Sequence, residues 1–110
     1  MIQPWDVWQC AFPWGEHPAV VISNAFRCER KQKIVVLACT SMRPDSYREP
    51  DNLEALLDQA DGLDWKTLCF CELPYTVDKS ILKFRKGEVS QARRRDIGQK
   101  IIRSLALIGI

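Results

Sequence analysis

Phe12-Pro13-Trp14-Gly15-Glu16-His17-Pro18-Ala19-Val20-Val21-Ile22-Ser23-Asn24 is the stretch on which the reading of this chain turns. Before it, residues 5–12 are rich in aromatic and β-branched side chains and predict a strand stopped by Pro13. Residues 14–18 predict a turn, because Gly15 tolerates unusual φ and Pro18 holds His17 extended. Residues 19–22 then form a continuous apolar run of strand length, and residues 34–38 form another. Runs apolar on both faces belong in the middle of a barrel or a sandwich. Between the two runs, residues 23–33 predict a polar loop carrying Arg27, Arg30, Lys31 and Lys33.

Working outward, residues 43–52 are polar, contain Pro44 and Pro50, and predict a long loop. Residues 53–57 fit either a strand or a short helical turn, since five residues cannot settle a period. Asp61-Gly62 marks a turn. Residues 67–73 alternate as a strand ended by Pro74, and residues 82–89 suggest a last strand broken at Lys86-Gly87. The end of the chain differs in kind. Ser90 is a good N-cap residue, and residues 91–108 contain no proline. Ile97, Ile101, Leu105 and Ile108 recur at helical spacing with Ile102 beside them, the pattern of an amphipathic helix docked on a sheet. Gly98 costs about 1 kcal/mol relative to Ala, which packing readily offsets. No internal repeat is visible.

A chain of 110 residues, 46% of them hydrophobic and 27% charged, suits one domain spanning 1–110 and excludes disorder. The net charge of +2, from 16 Lys and Arg against 14 Asp and Glu, excludes a polybasic protein as a whole-chain description. That sum hides two opposed regions. Asp45, Glu49, Asp51, Glu54, Asp58, Asp61 and Asp64 make the middle acidic. Lys79, Lys83, Arg85, Lys86, Arg93, Arg94, Arg95, Lys100 and Arg103 make the last third basic. Such a run is ordinarily a solvated face, yet a basic surface on a small barrel is also the footprint of a polyanion binder.

No apolar run approaches the roughly 20 residues of a membrane span, and the first residues show no secretory pattern. A cytoplasmic setting with no membrane association is expected. The five cysteines, Cys10, Cys28, Cys39, Cys69 and Cys71, include no CxxC pair and read as small hydrophobes. His17 is the single histidine and has no partner at zinc-ligand spacing, so no metal and no cofactor are assigned.

Further motifs follow the opening stretch in a set order. Trp5-Asp6-Val7-Trp8 precedes it; Val35-Val36-Leu37-Ala38-Cys39-Thr40-Ser41, Leu68-Cys69-Phe70-Cys71-Glu72 and Thr76-Val77-Asp78-Lys79-Ser80 follow. Over nearly its whole length this series resembles the PemK/MazF family of growth-inhibiting toxins from bacterial toxin–antitoxin pairs. The resemblance implies a mainly β fold: a small SH3-like barrel of the CcdB/PemK type, with a C-terminal helix at about residues 91–108, usually dimeric. It also implies metal-independent, sequence-selective cleavage of single-stranded RNA, with a cognate antitoxin covering the RNA groove. The related barrel toxin CcdB acts on DNA gyrase, so the fold alone leaves the target open.

The resemblance also points to residues. RNA cleavage of this kind needs a base for the 2′-hydroxyl proton, an acid for the leaving 5′-oxygen, and a donor to the phosphorane. Where the family carries arginine before the second-strand proline, this chain has His17. Histidine titrates near pH 6.5, about neutral, and serves as acid or base. The threonine ending the family's third strand matches Thr40, with Ser41 beside it and Arg43 available as a positive charge. His17, Thr40 and Ser41 are thus the catalytic candidates. Trp14, Arg43, Tyr75, Thr76 and Lys79 are the RNA-binding candidates.

Each has a plain structural alternative: His17 a turn residue with activity lost, Thr40 and Ser41 strand-end caps, Trp14 and Tyr75 packing. Thr76 and Lys79 would lie in a turn capped by Asp78, with Lys79 in an ion pair. The family's Gln after the acidic residue and Arg before the threonine are replaced by Leu73 and by Pro74-Tyr75. Two other functions stay open, a catalytically silent RNA- or antitoxin-binding barrel and an inhibitor of a protein such as gyrase.

Overall fold

Strands β1 (Asp6–Phe12) and β2 (Gly15–Val21) pair antiparallel across a two-residue Pro13-Trp14 connection. They open a computed structural model that describes residues 1–106. The connection closes tightly because Gly15 has φ of 132°, a region closed to most side chains. The turn expected over residues 14–18 therefore shrinks to its first residues, and His17 lies within β2, opposite Cys10. Pro18 is tolerated there because the bonded ladder to the next strand begins only at Ala19.

The expected polar loop of residues 23–33 contains a short helix, α1 (Ala25–Arg30). Asn24 caps it through a 2.9 Å bond from the Arg27 N–H to Oδ1, and Cys28 is its buried residue. Strand β3 (Lys33–Ser41) pairs with β2 and with β5 (Thr67–Asp78). The ambiguous segment near residue 55 is a strand, β4 (Glu54–Leu57), at one edge of the sheet.

Strand β5 does not stop at Pro74. The β3–β5 register shifts between Leu37 and Cys39, where Pro74 stands opposite Leu37. β4 covers β5 only from Thr67 to Phe70. Beyond that the outer edge of β5 has no ladder to lose, so proline is admissible. Likewise β6 (Leu82–Glu88) continues through Lys86-Gly87 as one strand, and the expected break is a bulge: Val7 pairs with Gly87 and Trp8 with Arg85, leaving Lys86 unpaired. Gly87 is needed because a Cβ there would lie 2.5 Å from the Asp61 carbonyl oxygen.

The six antiparallel strands, in the order β4-β5-β3-β2-β1-β6, curl into a half-barrel. Strand alternation sorts the core into two clusters. Cys10, Phe12, Ala19, Val21, Ile34, Val36, Ala38 and Leu82 fill one, with Trp8 against it. Val7, Val20, Leu37, Cys39, Ala55, Leu57, Cys69 and Cys71 form the other, with Trp5 against it. Helix α2 (Gln91–Ser104) covers this second cluster through fully buried Ile97, with Ile101 partly buried beside it.

Helix α2 differs from its expected form at both ends. It stops at Ser104 because Leu105 is extended, leaving Leu105 and Ile102 exposed, while Ile108 lies outside the described residues. Ser90 occupies the N-cap position without a side-chain cap bond; its N–H instead donates to Asp61 Oδ1 at 2.8 Å. All five cysteines are buried free thiols packed as small hydrophobes, and burial pushes the Cys10 thiol up to about 12.

Three carboxylates tie distant segments together. Arg48 grips Glu54 with two bonds of 2.7 and 2.8 Å and holds its carboxyl below the usual range. Arg93 does the same for Asp58. The Ser80 N–H, then Gln32, bring Asp78 down to about 2. Each binds a proton more weakly folded than unfolded, so its stabilisation is complete above the ordinary carboxylate range and lost as pH falls through the folded values. The melting temperature should be level from pH 7 to about 5, then fall between about 4 and 2 in a calorimetric series.

Candidate active site

The two principal catalytic candidates lie at the same end of the β2–β3 ladder. The ladder pairs Val21, Val20 and Ala19 with Val36, Leu37 and Ala38 and ends there; His17 and Thr40 each lie two residues past its last pair. Alternation then fixes their side. His17 follows Ala19 and Val21, and Thr40 follows Ala38, Val36 and Ile34, all members of one core cluster. Imidazole and hydroxyl thus rise from one face of adjacent strands, both half-buried. The His17 ring folds back over Gly15, where an added Cβ would lie 3.5 Å from Nε2. Ser41, by the same alternation, shares the opposite side with Leu37 and Cys39 and is exposed.

A second group forms where the β1–β2 connection meets the far half of β5. Trp14 stacks on Phe12 at 4.8 Å with 10° between planes, and Tyr75 is tilted 5.0 Å from Trp14. These rings, with Pro13, Thr76 and Ile81, line a cavity of about 280 Å³. Three RNA-binding candidates, Trp14, Tyr75 and Thr76, are therefore brought together, and Trp14 remains 55% exposed. Lys79 begins the 3-10 turn Lys79–Ile81, which Asp78 caps, and forms no ion pair among the described residues.

Arg43 belongs to a different place. It lines a cavity of about 380 Å³ just past Ser41, with Tyr47, Asp64, Trp65 and Lys66. The Met42 N–H donates to the Lys66 carbonyl at 2.8 Å, so this cavity begins where the β3–β5 ladder ends. Tyr47, Trp65 and Lys66 are not picked out by the motifs. Their only signal in sequence is an aromatic ring inside each of two polar stretches. Among the described residues no cluster of three or more His, Cys, Asp or Glu is placed to hold a metal ion.

The PemK-like, MazF-like toxin family of type II toxin–antitoxin systems matches residues 3–105 of this sequence. The chain belongs to that family. No curated protein matches it by sequence. Solved structures do match its fold. One, titled an endoribonuclease in complex with its cognate antitoxin from a mycobacterial species, has a TM-score of 0.83 at 20% identity, covering 97% of each chain. The Mycobacterium tuberculosis toxin MazF-mt6 gives 0.78 at 12% identity, covering 90% of this chain and 94% of its own. A MazE–MazF structure from Deinococcus radiodurans gives 0.73 at 15% identity, covering 91% of each.

In this PemK-like, MazF-like chain the acidic middle and basic end meet one another. Arg93 pairs with Asp58 and Asp61, and the Lys100 ammonium donates to the Glu54 carbonyl at 2.9 Å while pairing with Asp96. Arg85 pairs with Asp6, and Arg94 with Glu88. Much of the basic third is thus committed to holding the fold. No described helix is long and apolar enough to cross a membrane.

Proposed function

We propose that this toxin is an endoribonuclease that cuts single-stranded RNA in the cytoplasm, acts as a homodimer, and is silenced by a cognate antitoxin. What supports this reading is that His17 and Thr40 lie just past the last β2–β3 pair, each alternating in step with residues of the same core cluster. The reaction needs neither metal nor cofactor. A 2′-hydroxyl attacks the neighbouring phosphorus, leaving a cyclic phosphate and a 5′-hydroxyl. His17 serves in acid–base transfer, Thr40 donates to a phosphate oxygen, and Ser41 and Arg43 support the strand from the far end of β3. Trp14 and Tyr75 stack on bases, with Thr76 and Lys79 alongside them.

Purified protein incubated with a long single-stranded RNA and EDTA should cut it, giving 5′-hydroxyl ends. Histidine in the place of the family's arginine favours one other reading, a silent binding barrel. That reading predicts salt-sensitive RNA binding with no cleavage. Growth inhibition with neither binding nor cleavage would point instead to a protein target such as gyrase.

A further inference from the structure

The cavity beyond Ser41 is not part of the His17–Thr40 pair, and it abuts a second. Asp64, Trp65 and Lys66 line both it and a neighbouring cavity of about 410 Å³ that reaches Asp58 and Gln59. Trp65 thus stands between two open spaces and is 47% exposed. Tyr47 also lines the first cavity, with the Lys66 ammonium 4.5 Å from the centre of its ring. Neither Arg43 nor Lys66 forms an ion pair among the described residues. Exposed rings beside cations that lack an ion pair are the combination that holds a single-stranded nucleic acid: bases stack on the rings while cations meet the phosphates. Arg43 and Lys66 outnumber the one carboxylate of this lining, Asp64, which favours an anionic occupant over a neutral peptide.

We infer that Trp65 and Tyr47, with Arg43 and Lys66, form a nucleotide subsite that holds a base beside the cut site and sets its identity. The inference rests on the RNA-cleaving reading and adds to it a specificity pocket on the β3–β5 end of the sheet. Trp65 supplies the stacking wedge, and Arg43 and Lys66 hold the flanking phosphates. Asp64 is the carboxylate in the wall. It accepts from a base edge bearing an amino group, so adenine, cytosine or guanine is favoured over uracil at this position.

The test is cleavage of a randomised RNA library by wild type, Trp65→Ala, Trp65→Phe and Asp64→Asn, with melting temperatures recorded for each. Trp65→Ala should flatten the base preference at one position near the cut and raise KM about tenfold. Its kcat should fall far less than in a His17 variant. Trp65→Phe should restore KM, and Asp64→Asn should weaken the bias against uracil. Unchanged base preference and KM in folded Trp65→Ala overturn the inference. If wild type cuts no RNA, the cleavage reading fails separately. Binding of a fluorescein-labelled random heptanucleotide then decides the subsite: about tenfold weaker binding by Trp65→Ala upholds it, and equal binding overturns it.

Discussion

His17→Ala lowers the rate of RNA cleavage by about a hundredfold to ten-thousandfold, the range a positioned acid–base group contributes. The expectation follows from placement. His17 is held in β2 by its pairing with Cys10, and it and Thr40 each lie two residues past the last β2–β3 pair. Its neighbour Gly15 leaves the ring room to fold over the hairpin end. Because His17 is half-buried at that end, truncation opens no large void, and the melting temperature should move little. Thr40→Val removes one donor while keeping shape, and should cost about a hundredfold or more in kcat. Single-turnover assays at saturating RNA separate this loss from weakened binding. Full activity in folded His17→Ala would remove histidine from the chemistry and leave Thr40 and the cations to carry it.

The parts of the fold legible in sequence are those buried on both faces. Residues 19–22 and 34–38 read as central strands because β2 and β3 have neighbours on each side and core above and below. What escaped reading depends on tertiary partners. Helix α1 has six residues and one buried side chain, too few to display a period. β5 crosses Pro74 because its outer edge is free there, and no local pattern reports that. The expected helix stripe was right at Ile97 and Ile101 and overreached at Leu105, which follows the helix end in extended conformation and is exposed.

The site divides the same way. Residue types and motif order nominated His17, Thr40, Trp14 and Tyr75. Their grouping depends on strand register and sheet curl, which bring Trp14 and Tyr75 to 5.0 Å. Thr40 and Ser41 look interchangeable as a pair, yet alternation sends them to opposite faces. The charge split looked like a polyanion surface, yet four of the nine basic residues of the last third, Arg85, Arg93, Arg94 and Lys100, are held in ion pairs within the fold.

That internal pairing has one fully buried carboxylate, and Asp61→Ala should destabilise the protein by about 3 to 5 kcal/mol. Asp61 is completely buried, accepts from the Asp58 N–H at 2.9 Å and the Ser90 N–H at 2.8 Å, and is paired with Arg93. It therefore binds the turn after β4 to the first residue before α2. Gly62 and Gly87 pack backbone to backbone beside it, too tightly for a repositioned chain to let water in. Alanine would strand two part-buried N–H donors and leave Arg93 with Asp58 alone. Asparagine should do little better, since its amide NH2 would face groups that are themselves donors.

Asp58→Ala provides the contrast. Its side chain is 35% exposed, so losing that pair should cost about 1 kcal/mol or less. Urea unfolding of the two variants should show a large fall in midpoint for Asp61 and a small one for Asp58, with m unchanged. Domains of this kind have about 5–15 kcal/mol in total, so the Asp61 loss consumes a large share and α2 should detach early. A fall of less than about 1 kcal/mol for Asp61→Ala would mean that Ile97, through its packing alone, holds the helix to the sheet.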